Sequence, residues 1–261
     1  MSALDLDAML EAAVAASWAG GEIVLGAFGA TSGVVEKAPG DWVSDTDTAS
    51  ERAVRAVLLE AAPDIPVFGE EEGGERGPLG WLVDPLDGTA NFVHRFPVVG
   101  VSIGLVADGV PVVGVVHAPM IGETYTARAG GGTSRSGEPV RVSTRAPEQA
   151  ICATGFPFRA KRQRLDEYLP VFERALRTCE DLRRAGAASM DLAWTGSGVY
   201  DGYFEQALGP WDVAAGALLV REAGGVVTDW HGDDSAWLDS GDIVAAPPAL
   251  HEHLLGLIAG G

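Results

Sequence analysis

Cysteine and lysine are scarce in this chain, and long apolar runs are missing. Cys152 and Cys179 are the only cysteines among 261 residues, and neither sits in a metal-ligand spacing. A cysteine-bound metal is therefore not expected. Two buried free thiols in a cytosolic protein is the favoured reading, ahead of a single disulfide. Lys37 and Lys161 are the only lysines, and the formal net charge is −19. Without a basic stripe to displace counterions, no nucleic-acid partner is expected. Nothing in the sequence reaches the length of a membrane span, so no membrane association is expected. The N-terminus carries Asp5, Asp7 and Glu11 and lacks a basic region before an apolar stretch, so no signal peptide is visible and the expected location is the cytoplasm. Neither a G-x-x-x-x-G-K-[ST] loop nor a Rossmann fingerprint occurs, so P-loop nucleotide hydrolysis and hydride transfer lose support.

What is present is an ordinary soluble composition, 47% hydrophobic and 21% charged, at a length that suits one large domain or two modest ones. Apolar spacing predicts helices over 3–29 and 49–61, the second with Asp47 or Thr48 as its N-cap. Residues 67–70 read as a short strand and 81–83 as a buried one that Pro85 ends. Strands are expected at 101–106 and 112–116 around an Asp108-Gly109 hairpin turn, then at 123–128 and 140–142. Beyond these the elements alternate, with strands at 151–154, 202–205, 225–228 and 243–245. Helices are expected at 165–178, 190–195, 211–223 and 250–258. A boundary near residue 145 divides the chain into 1–145, two helices with a mostly antiparallel sheet, and 146–261, an α/β part with a mixed sheet.

The chemistry concentrates in Trp81-Leu82-Val83-Asp84-Pro85-Leu86-Asp87-Gly88-Thr89. Two carboxylates three residues apart close an apolar strand, and a Gly-Thr step then opens a segment whose first N–H groups have no partners of their own. Carboxylates in apolar surroundings are costly to bury alone, and a hard cation resolves the cost. Mg²⁺ suits such a site, since it takes oxygen ligands and keeps waters that a phosphate replaces. Further acidic spots stand at Asp41 to Asp47, at Glu70-Glu71 and at Asp212. Singly each has a plainer explanation: an N-cap, a solvated loop, a charge at a helix start. None of the five histidines forms a ligand-like pair.

Taken together these residues resemble the inositol monophosphatase family of Mg²⁺-dependent, lithium-sensitive phosphatases. Asp84-Pro85-Leu86-Asp87-Gly88-Thr89 with Asn91-Phe92 matches its first signature, and Trp211-Asp212-Val213-Ala214-Ala215-Gly216 its second. Asp41-x-Val43-Ser44-x-x-Asp47, Gly69-Glu70-Glu71 and Arg183-x-x-Gly186 follow in the family's order, and the likeness covers nearly the whole chain. The resemblance implies an α/β fold, a layered α-β-α-β-α sandwich of the inositol monophosphatase and fructose-1,6-bisphosphatase type, and a homodimer. It implies two or three Mg²⁺ ions. Glu70, Asp84 and the Leu86 carbonyl would be ligands of the first, and Asp84, Asp87 and Asp212 of the second. It implies phosphate binding by the N–H groups of Gly88 and Thr89, and an attacking water oriented and deprotonated by Thr89 and Asp47. Asp87, Ala188 and Glu205 would meet the substrate's hydroxyls.

The reaction so implied is hydrolysis of inositol monophosphate, a small phosphomonoester, to inositol and phosphate. Fructose 1,6-bisphosphate, histidinol phosphate and a nucleotide 3′-phosphate are rival substrates for the same chemistry. A different class of reading is a non-catalytic interaction protein of this fold that binds RNA polymerase or another factor, or a divalent-cation module without turnover. Ser44 stands where the family usually has Thr, and Ala187 where it has Ser or Thr, which leaves hydrolysis intact and substrate preference open. Gly155-Phe156-Pro157-Phe158-Arg159 looks like the bacterial branch. Gly100-Val101-Ser102-Ile103-Gly104 fits a serine-hydrolase elbow, but that motif needs a strand-to-helix turn and Ser102 is expected mid-strand.

Overall fold

The computed structural model describes residues 4–30, 32–38, 41–157 and 161–260. Helix α1 (Leu6–Ala27) begins at Asp5, whose carboxylate accepts the N–H groups of Asp7 and Ala8. A two-stranded ribbon, β1 (Val35–Ala38) and β2 (Asp41–Val43), leads into α2 (Asp45–Ala61). Then follow β3 (Val67–Gly69), β4 (Leu79–Asp87), the short α3 (Thr89–Val93), β5 (Gly100–Ala107), β6 (Val110–Ala118), β7 (Glu123–Arg128), β8 (Gly132–Arg135) and β9 (Glu138–Val140). Strands β3 to β9 form one seven-stranded sheet in sequence order, antiparallel except for the β3–β4 pair. Asp108 and Gly109, both at positive φ, make the β5–β6 turn that their sequence announces.

The rest alternates: β10 (Ile151–Thr154), α4 (Lys161–Thr178), β11 (Asp181–Arg183), α5 (Ala188–Gly196), β12 (Gly202–Glu205), α6 (Pro210–Glu222), β13 (Val226–Thr228), α7 (Trp237–Ser240), β14 (Ile243–Ala246) and α8 (Pro248–Ala259). These strands make a mixed sheet in the order β11-β10-β12-β14-β13, with β10 parallel to both its neighbours. The layers are those expected of an α-β-α-β-α sandwich. Ala13, Val24, Val54 and Leu58 of α1 and α2 pack with Trp81, Val83, Ile103 and Val113 on one face of the large sheet. Helices α5 and α6 fill the space between the sheets, and α4 and α8 cover the far face of the small one through Tyr168, Leu250 and Leu254. Strand β4 reads as an unbroken apolar run because it is covered on both sides: Trp81 and Val83 belong to the outer core, Leu82 to the central one.

Several expectations change. Helix α1 has the length and composition of a membrane span, contrary to the sequence reading. Here its Ala and Gly face, from Ala12 to Val24, is buried against α2 and the sheet. Pro85 does not end β4, which runs on to Asp87. The pairing with β5 slips by one residue between Asp84 and Asp87, and this bulge accommodates a residue that cannot donate to the ladder. The N-cap of α2 is Ser44, not Asp47 or Thr48; Asp47 occupies the third helical position and closes a capping box. The last strand of the large sheet is Glu138–Val140 rather than 140–142, and β8 before it went unread. The Gly/Pro break that the sequence puts at Pro39-Gly40, between the first two helices, and Phe158-Arg159 of the bacterial-looking run lie outside the described residues. Both thiols are free and buried, with their sulfurs 3.9 Å apart.

Candidate active site

The bulge at the end of β4 points its carboxylates into the gap between the sheets. Asp84 is fully buried and accepts the Leu86 N–H at 2.9 Å, which turns the chain around Pro85. The Pro85 carbonyl is held from behind by the Ser50 hydroxyl of α2 at 2.8 Å. Glu70 leaves β3 beside β4, its N–H donating to the Val83 carbonyl at 3.1 Å. The acidic loop after it is organised by Glu51, a buried carboxylate of α2 that accepts the N–H groups of Glu71 and Glu72 and pairs with Arg55. Asp212 sits in the first turn of α6, where its carboxylate accepts the Gly209 N–H at 2.6 Å. Ser102, mid-strand in β5 as expected, donates to the Trp211 carbonyl at 3.0 Å and so fixes the start of α6 against the large sheet.

Glu70, Asp84 and Asp212 thereby come from three separate elements to one point, with ligand oxygens all within 4.8 Å of one another. Asp87 lies beside them but faces the small-sheet side, accepting the Ser189 N–H at 2.7 Å and the Ser189 hydroxyl at 2.6 Å. Across the site, Asp47 accepts the Ser44 N–H at 2.9 Å and the Ser44 hydroxyl at 2.6 Å on one oxygen. Its other oxygen lies 2.8 Å from the Thr89 hydroxyl, which is also 3.1 Å from the Leu86 carbonyl. Gly88, at φ 89°, caps α3; a side chain there would press on the Val98 carbonyl at 3.0 Å. The first N–H groups of that helix have no intrahelical acceptor.

The electrostatics are those of acids awaiting a counter-charge. Burial pushes the Asp84 carboxyl well above its ordinary range, and the charges of Glu70, Asp87 and Asp212 push it further. Asp87 is raised to about 6 by burial and then by Asp212, against the Ser189 hydrogen bonds. Asp47 is raised by burial, with the Ser44 and Thr89 bonds opposing. Glu205 is raised to about 7, again chiefly by burial, while the Tyr203 hydroxyl at 2.6 Å and Arg184 act the other way. Converging oxygen donors without His or Cys, penalised for burial and for one another, fit a hard divalent cation.

These groups border one open cleft of about 820 Å³ whose wall includes Glu70, Asp84, Thr89, Ala188, Glu205 and Asp212. Leu86, Asp87 and Gly88 line it as well, whereas Asp47 reaches it only through Thr89. Glu205 lies against Gly155, where any side chain would collide with its carboxylate. Sequence reasoning missed Trp42, Arg184 and Gln206 in the wall and Ser189 behind it. The Arg183-x-x-Gly186 motif pointed one residue away. Arg183 pairs with its neighbour Asp181 at the surface, and Arg184 turns into the cleft with its guanidinium 5.9 Å from the Phe156 ring. Alternation along an extended segment was the available signal for that. Ser189 donates to Asp87 two residues beyond Ala187, where a hydroxyl had seemed to be lost.

Comparison with known proteins agrees with this architecture. The pattern of the Inositol monophosphatase family matches residues 5–260. The Nus factor SuhB of Pseudomonas aeruginosa is 40% identical over 259 residues, covering 96% of this chain and 95% of that protein. Among solved structures, the extragenic suppressor protein suhB from Bartonella henselae superposes with a TM-score of 0.92 at 34% identity, covering 97% of this chain and 99% of that one. The inositol monophosphatase from Anabaena gives 0.89 at 31% identity, covering 98% of this chain and 97% of that one.

Proposed function

The chain belongs to the inositol monophosphatase family, and from that premise we propose that it is a Mg²⁺-dependent phosphomonoesterase that releases phosphate from inositol monophosphate. Family membership supports phosphatase chemistry and Mg²⁺ dependence; the choice of substrate and the role of each residue are our reading. The observation that carries it is the Thr89–Asp47 pair standing beside the converging Glu70, Asp84 and Asp212 in one cleft.

In this reading Glu70, Asp84 and the Leu86 carbonyl would hold one Mg²⁺, and Asp84, Asp87 and Asp212 a second. Bound there, the cations would neutralise phosphate charge and lower the pKa of water in the site. Thr89 positions the attacking water through its hydroxyl, and Asp47 receives the proton that the hydroxyl passes on. Ser44 holds Asp47 in place by donating twice to its far oxygen, leaving the near one for Thr89. The N–H groups of Gly88 and Thr89 bind the phosphate oxygens. On the alcohol side, Asp87, the Ala188 backbone and Glu205 accept from or donate to ring hydroxyls, and Ser189 orients Asp87 for that task. The test is phosphate release with and without Mg²⁺ from inositol 1-phosphate, fructose 1,6-bisphosphate, histidinol phosphate and a nucleotide 3′-phosphate. Inositol 1-phosphate is expected to lead; no Mg²⁺-dependent release from any of them would end the phosphatase reading.

A second role is favoured by the names of the relatives, which include a protein called Nus factor SuhB at 40% identity. Association of the purified chain with RNA polymerase, measured for the wild type and for Asp84→Asn, tests that role apart from turnover.

A further inference from the structure

We propose that Gln206 is a specificity-determining residue that hydrogen-bonds a polar group on the alcohol half of the substrate. The inference rests on the phosphomonoesterase reading and deepens it. Gln206 follows Glu205 directly at the end of β12, and it borders the same cleft. The residue is 1% exposed, and neither its amide nitrogen nor its amide oxygen has a hydrogen-bond partner among the described residues. A buried amide left unpaired on both atoms is costly, and such groups persist where something else satisfies them. An apolar side chain of similar size would spare that cost, so its presence beside the cleft points to a ligand.

The backbone around it is held firmly. Ala207, at φ 63°, donates its N–H at 3.1 Å to Asp242, and Asp242 is gripped by both terminal nitrogens of Arg164 at 2.6 Å each. With the main chain fixed, the three side-chain torsions of Gln206 are what move its amide along the wall toward a ligand. Gln206 carries donor and acceptor together, unlike the carboxylate of Glu205 beside it, so it matches a hydroxyl in either sense. The ligand class is a phosphomonoester whose alcohol bears a hydroxyl or comparable polar group on the ring that faces this wall. Simple alkyl or cycloalkyl esters lack that group.

The experiment compares inositol 1-phosphate with cyclohexyl phosphate, the same ring without hydroxyls, as substrates of the wild type, Gln206→Met and Gln206→Leu in saturating Mg²⁺. Both variants are expected to lose about tenfold in kcat/KM on inositol 1-phosphate, mainly through KM, and to stay within about twofold on cyclohexyl phosphate. Their thermal midpoints in the absence of substrate are expected at or above that of the wild type, because an unpaired amide has been replaced by an apolar group. Equal losses on both esters, no loss on either, or a lowered midpoint would each overturn the proposal, the last by showing the amide to be structural. A wild type that hydrolyses both esters, with variants that keep its ratio, defeats this inference alone. A wild type that releases phosphate from neither defeats the phosphatase reading with it.

Discussion

The Thr89 hydroxyl lies 2.8 Å from one carboxylate oxygen of Asp47, while the other oxygen is occupied by the N–H and hydroxyl of Ser44. The division matters because it leaves one oxygen of Asp47 for Thr89, through which it reaches the cleft. Asp47 is both a helix-capping group and, among the described residues, the one carboxylate that accepts the Thr89 hydroxyl, and the capping box of α2 aims it.

If that pair handles the proton, Thr89→Val is expected to lower kcat by about 10²–10⁴-fold with little change in KM, and Thr89→Ser to restore most of it. Asp47→Asn is expected to match Thr89→Val. Steady-state kinetics on inositol 1-phosphate checks this, and a Thr89→Val enzyme with normal kcat would remove Thr89 from the mechanism.

Asp84 carries the largest burden of the cluster, being fully buried and facing the charges of Glu70, Asp87 and Asp212. Asp84→Asn is expected to abolish turnover and also to remove the rise in thermal midpoint that Mg²⁺ gives the wild type. In metal-free buffer at neutral pH the same variant is expected to melt higher than the wild type, since a repelled charge is gone. Melting curves with and without Mg²⁺ read both effects. A variant that keeps the full Mg²⁺ shift would displace Asp84 from the metal site.

Burial, with the neighbouring charges, sets a pH dependence. Asp87 is raised from 3.8 to about 6 and Glu205 from 4.5 to about 7. A carboxyl with a raised folded pKa binds its proton more tightly folded than unfolded. It therefore stabilises the fold at low pH and loses that contribution as pH rises from its unfolded to its folded value. Metal-free protein is thus expected to lose stability between about pH 4 and pH 7. Mg²⁺ requires the ionised ligands, so its stabilising effect is expected to grow over the same interval. Melting midpoints measured at each pH, with and without Mg²⁺, are the check; a metal-free midpoint that climbs across the window would contradict it.

Much of this site is legible in the chain because its parts are local. Asp84 to Thr89 is one turn of backbone, and the apolar run before it announces a strand buried on both sides. The residues that went unread act across the fold. Glu51 looks like a surface position of an amphipathic helix, and only the packing of α2 on β3 shows that it ties down the acidic loop. Ser189 and Arg184 gain meaning only from the fold, which brings the start of α5 to Asp87 at the end of β4 and turns Arg184 into the cleft. Pro85 misled for a related reason: proline excludes a residue from a regular ladder, but a bulge absorbs it, and the bulge depends on β5.

Asp191 is the plainest case of a residue whose cost the sequence hides. It lies in the first turn of α5, fully buried, and neither carboxylate oxygen has a hydrogen-bond partner among the described residues. Burial pushes its carboxyl well above the ordinary range, and the charges of Glu205 and Asp87 add to this while Arg184 opposes. Ionised, it weakens the fold more than it does protonated. Asp191→Asn is therefore expected to raise the thermal midpoint at pH 8 by several degrees, about 2–4 °C for each kcal/mol recovered. That advantage is expected to vanish near pH 4, where the unfolded chain's aspartate is itself becoming protonated. Melting curves at pH 4, 6 and 8 measure it. A variant that melts lower than the wild type at pH 8 would show that the ionised carboxylate is instead satisfied in solution.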